Sequence, residues 1–79
     1  MPRYIKGQRI QIVSARDGQG KPKYRDMEPH VGKSGVIVDY YSIGFENQPS
    51  YYIYEIQLDD DKSIMAIQED ALAILMDSY

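Results

Sequence analysis

The chain has 79 residues, a formal net charge of −3 and no cysteine. That length supports a single domain near the small end of what folds without cross-links, and neither a disulfide framework nor a thiolate metal site is available to supplement its core. No apolar run approaches the roughly 20 residues that span a bilayer, and Met1-Pro-Arg-Tyr-Ile-Lys6 lacks the apolar region of a secretion signal, so the expectation is a soluble, cytoplasmic protein without a membrane partner.

The charge is unevenly spread. Residues 1–33 hold eight basic residues (Arg3, Lys6, Arg9, Arg16, Lys21, Lys23, Arg25 and Lys33) against Asp17, Asp26 and Glu28, whereas residues 34–79 hold Lys62 alone against nine acids. Two outcomes follow from such a split: a bipolar molecule that docks one face on a charged partner, or a fold that interleaves the halves and cancels the dipole. In a barrel whose first and last strands pair, the second is expected.

In chain order, Gly7 punctuates a turn, and Arg9 to Val13 alternates polar and apolar residues with Ile10 and Ile12 facing inward, the period of a half-buried strand. From Ala15 to Pro29 the periodicity disappears, and two glycines, two prolines and seven charges predict a long flexible loop rather than a helix. Gly32-Lys-Ser-Gly-Val-Ile-Val-Asp-Tyr40 is a glycine-punctuated turn feeding a second strand, Gly35 to about Tyr41, with Val36 and Val38 on one face and Ile37 and Asp39 on the other. A second loop, Ser42 to Ser50, carries Ile43 and Phe45, which a solvated loop does not need. Tyr51 to Leu58 is the third strand, with Tyr54, Ile56 and Leu58 inward. Asp59-Asp-Asp-Lys62 is a hairpin turn, Ser63 to Ile67 a fourth strand, Gln68-Glu-Asp70 one 3₁₀ turn, and Leu72 to Leu75 a fifth strand. Short strands at close spacing predict one all-β domain over 1–79 whose barrel spans about 6–75. The predicted core is Ile10, Ile12, Val36, Val38, Ile56, Leu58, Ile67, Leu72 and Ile74.

The order Gly-x-x-Ile-x-Ile, long loop, Gly-x-x-Gly-x-Ile-Val, loop, Tyr-x-Ile-x-Leu-Asp, turn, Ile-x-Glu-Asp-x-Leu resembles the SH3-like barrel of the KOW type found in ribosomal and transcription-elongation proteins. It is also similar to the small SH3-like subunits of photosynthetic and ferredoxin-linked complexes, of the PsaE type. The resemblance implies a five-stranded SH3-like barrel with a long first loop and a short 3₁₀ turn before the last strand. The Ala-Leu-Tyr-Asp-Tyr signature and the tryptophan of peptide-binding SH3 domains are missing, so recognition of proline-rich peptides is not implied.

The residues offer little for catalysis, metal or cofactor. Gly32-Lys-Ser34 ends like a phosphate loop, but the glycine required five positions earlier is Met27, no strand precedes it, and Gly35 stops any helix. His30 has Asp26 and Glu28 nearby but no second nitrogen or thiolate ligand, and Asp59-Asp60-Asp61 lacks the spacing of a calcium loop. No nucleophile–base pair or carboxylate dyad is readable, so the chain is expected to be neither an enzyme nor a cofactor protein. Barrels of this kind serve binding. Tyr40 and Tyr41 point to opposite sides of their strand, as do Tyr51 and Tyr52, so aromatic surface is expected around the second loop. The leading reading is a protein-interaction module, a monomer or weak homodimer, using Tyr40, Tyr41, Phe45, Tyr51 and Tyr52 with Lys23 and Tyr24 of the first loop. The alternative is a KOW-like nucleic-acid-associated domain using Lys21, Lys23, Arg25 and Lys33 against phosphates. A third class, an accessory subunit of a redox complex, follows from the resemblance alone.

Overall fold

In a computed structural model, which describes residues 2–44, 46–47 and 50–75, the chain forms five antiparallel strands. They are β1 (Arg9–Ile12), β2 (Ser34–Ile43), β3 (Tyr51–Leu58), β4 (Ile64–Gln68) and β5 (Leu72–Ile74), hydrogen-bonded in the order β4-β3-β2-β1-β5. Two 3₁₀ segments accompany them, η1 (Arg25–His30) and η2 (Glu69–Ala71). The architecture is all-β and compatible with an SH3-like fold; among the described residues no ladder joins the edge strands β4 and β5. Among the described residues no helix is long and apolar enough to cross a membrane.

Burial fixes the phase of each strand. Ile10 and Ile12 of β1, Tyr54, Ile56 and Leu58 of β3, Ile67, and Leu72 pack into one core, as their alternation predicts. In β2 the phase is the reverse of the expected one. Gly35 and Ile37 stand opposite Leu58 and Ile56 and therefore share their inward face, while Val36 stands opposite Gln57 on the outside. A register shift between Ile37 and Asp39 places Val38 in a bulge, 38% exposed, and returns Tyr40 to the inner face opposite Tyr54. Alternating Val-Ile-Val offers two equally apolar faces, so the choice falls to the neighbouring strand. Ile74 is also outside the core: although it stands opposite the buried Ile10, it is 55% exposed at the end of the short edge strand β5. Tyr4, which has no place in the predicted core, is buried and stacks edge-on against Tyr54 with ring centroids 5.4 Å apart.

At Gly35 two strands approach closely: a Cβ there would lie 2.5 Å from the Gln57 carbonyl oxygen and 2.7 Å from Ile56 Cγ2. It is therefore a close-packing position rather than a turn, and only glycine fits it without displacing β3. Gly32, with φ +96°, is the turn residue that precedes β2.

The first loop is not featureless. Arg16 and Pro22 form an isolated bridge that closes a small reversal, and the Asp17 carboxylate accepts from the backbone N–H groups of Gln19 and Lys21. These bonds hold the Asp17 carboxyl below the usual carboxylate range. η1 follows, although its composition argues against a helix; six residues of 3₁₀ turn make few demands on periodicity.

The charged halves interleave. Ion pairs Arg3–Glu69, Lys6–Asp39, Arg9–Asp59, Lys23–Asp70 and Lys33–Asp60 each join the basic first part of the chain to the acidic second part. Exposed pairs of this kind add little stability individually. Their consequence is to cancel the dipole. At the Asp59 corner, Ser34 Oγ and Arg9 Nη2 both donate to Oδ2, at 2.7 and 2.8 Å, tying β1, β2 and the β3–β4 turn together. The Ser34 bond first and the Arg9 bond second hold the Asp59 carboxyl below its ordinary value.

Candidate functional site

A cleft of about 520 Å³ opens between the first loop, the start of β3 and η2. Its lining includes Lys23, Tyr24, Tyr51 and Tyr52 together with Arg3, Glu69 and Asp70. Four of the seven predicted partner residues, separated by nearly thirty positions in sequence, thus face one cavity. Of the other three, Tyr40 is half-buried against the core, its ring 6.3 Å from Tyr52 and 6.0 Å from Tyr54. Tyr41 lies exposed on the opposite face of the sheet, and Phe45 falls outside the described residues.

η2 supplies the polar wall. Lys23 Nζ lies 2.7 Å from Asp70 Oδ2, and the Tyr24 hydroxyl lies 2.8 Å from Asp70 Oδ1 and 2.5 Å from Gln68 Oε1. A phenol has one proton to give, and the carboxylate is the stronger acceptor. The Gln68 amide therefore meets the phenol oxygen best with its NH₂ group turned inward. Burial, then the hydrogen bond to Asp70, pushes the Tyr24 hydroxyl up to about 12. Burial alone would raise Asp70 too, but the hydrogen bonds from Lys23 and Tyr24 outweigh it and hold that carboxyl low.

A second phenol holds the neighbouring acid. The Tyr54 hydroxyl donates to Glu69 Oε2 at 2.5 Å and accepts from the backbone N–H groups of Arg3 at 3.0 Å and Tyr4 at 3.3 Å. Desolvation, followed by the Glu69 bond, raises its pKa. Tyr4 reciprocates by donating to the Leu72 carbonyl at 3.0 Å. Both acids of η2 are therefore anchored by a tyrosine hydroxyl and a cation. On the far side of Tyr24 a smaller cleft of about 330 Å³ is bounded by Arg25, Asp26 and Met27 and by Ala66 to Gln68.

The predicted phosphate-contacting set is differently disposed. Lys23 is committed to Asp70 and Lys33 to Asp60, at 2.7 and 3.4 Å. Lys21 and Arg25 are exposed and have no ion pair among the described residues. His30 Nδ1 is buried without a hydrogen-bond partner, and Glu28 is turned toward Ser14 and Arg16. Among the described residues no three His, Asp or Glu side chains converge on a common point.

The contribution of Arg3, Gln68, Glu69 and Asp70 to the cleft is not legible in the sequence. Glu69 and Asp70 read there only as a turn. The signal that marks them is the pair of tyrosines that reaches them, and that pairing is tertiary. No family model, curated protein or solved structure matches the chain.

Proposed function

We infer that the protein is a non-enzymatic interaction module built on an SH3-like barrel, and that its cleft receives an extended segment of a protein partner. The strand order, the long first loop and the 3₁₀ turn before β5 support the barrel reading. The convergence of Lys23, Tyr24, Tyr51 and Tyr52 carries the functional reading. Rigid aromatic side chains with polar tips, set beside locked charges, offer contact area at small entropic cost. A lining of two cations and two carboxylates favours a partner with both polar and apolar groups over a phosphate backbone. A cytoplasmic setting belongs to this reading.

The test is selection of peptides on the immobilised full chain, followed by mapping on isotope-labelled protein. Binders should shift Tyr24, Tyr51 and Asp70 and weaken by about tenfold in Tyr51→Ala, the loss typical of a central aromatic contact. Binders indifferent to both Tyr51→Ala and Lys23→Ala would refute the cleft as the site.

A further inference from the structure

The outer face of the β2–β3–β4 sheet combines features that sheet stability does not explain. Asp39 and Glu55 stand directly opposite each other across β2 and β3. Like charges so placed weaken a ladder. Lys6 Nζ lies 3.4 Å from Asp39, whereas Glu55 has no ion pair among the described residues. Apolar side chains flank this acidic row on both sides. Tyr41 and Tyr51, 45% and 39% exposed, lie toward one end of the strands, and Ile64, 56% exposed, lies toward the other.

We propose that this face docks an extended segment of a protein partner bearing the pattern apolar-x-basic-x-apolar, its cation beside Glu55 and its apolar side chains on Tyr41 and Ile64. The rows of the face recur every second residue of β3, as do the side chains on one side of an extended segment. Charge selects the occupant. A second copy laid face to face would set four carboxylates against two lysines, and a nucleic acid would bring phosphate to an acidic row. The proposal shares with the cleft reading only the premise of a protein partner, and Tyr51 and Gln68 border both surfaces.

The probe is the blocked peptide Gly-Leu-Thr-Arg-Thr-Leu-Gly, titrated into the labelled full chain beside its counterpart with Glu in place of Arg. The Arg peptide should shift amides around Tyr41, Glu55 and Ile64, and the Glu peptide should not. Glu55→Gln should weaken binding by about two- to fivefold, the range for an exposed ion pair. The same variant should melt at an unchanged or higher temperature, because it relieves the repulsion from Asp39; a merely structural Glu55 would show no such opposition between stability and affinity. Absence of shifts, equal shifts from both peptides, or full affinity in Glu55→Gln would overturn the proposal. Shifts that follow protein concentration alone would replace it with self-association. Shifts centred on Lys23, Tyr24 and Asp70 would overturn it while supporting the cleft, and shifts on the outer face alone would do the reverse.

Discussion

Two acidic pairs, Glu69–Asp70 and Asp39–Glu55, occupy opposite situations in this molecule. On η2 each acid is met by a tyrosine hydroxyl and a cation, so the charges lock the N-terminal segment and first loop onto the end of the sheet. On the outer face the acids confront each other, and a lysine pairs with Asp39 alone. The first arrangement converts charge into position, because a charge-assisted hydrogen bond to a fixed donor holds each carboxylate in one place. The second leaves charge available to a partner. Similar residues thus serve the fold at one place and, on the docking proposal, recognition at another, according to what lies within hydrogen-bond reach.

The sharpest way to break this contrast is to move the sheet itself. Gly35→Ala drives a methyl group into the β3 backbone and should cost about 3 kcal/mol, at the upper end for overpacking; chemical denaturation measures it, and a loss below about 1 kcal/mol would show that β2 and β3 separate easily there. Next comes the locked corner. Tyr54→Phe leaves the buried Tyr4 N–H without an acceptor and takes the phenol donor from Glu69, with an expected loss of about 2 kcal/mol.

Alkaline pH probes the same corner without mutation. A phenol raised from 10.0 to about 12 holds its proton more tightly in the folded state. The stability contributed by Tyr24 is therefore complete below pH 10.0 and disappears as the pH rises through about 12. Denaturation midpoints across that window should fall, and Tyr24→Phe should fall less steeply. The smallest effect belongs to the outer face: Glu55→Gln should gain about 0.3 kcal/mol by removing a like-charge neighbour, and a loss instead would mean that Glu55 has a stabilising partner.

How far these regions were legible depends on how local their signals are. The inward sets Ile10/Ile12 and Tyr54/Ile56/Leu58 follow from alternation, since Arg9, Gln11, Glu55, Gln57 and Asp59 between them leave one possible face. Val36 and Val38 misled because Ile37 between them is as apolar as they are, and a bulge at Val38 has no sequence signature when no glycine marks it. Boundaries of β4 and η2 lie one residue beyond the expected ones. For the cleft, aromatic crowding around the second loop pointed to Tyr51 and Tyr52, and basic–aromatic interleaving pointed to Lys23 and Tyr24. That the two sets meet requires the first loop to fold back onto η2, which rests on contacts spanning more than forty residues.

Sequence alone determined the number and order of strands, the turns between them, the absence of thiol chemistry and most of the core, because each depends on residues close together in the chain. Tertiary structure alone decided which face of β2 is inside, that Tyr4 belongs to the core, and that the basic and acidic halves neutralise each other. It also decided which carboxylates meet a hydroxyl and a cation and which do not. Those outcomes turn on pairings between distant segments, and a one-residue change in register or a single bulge reverses them at almost no cost in local propensity.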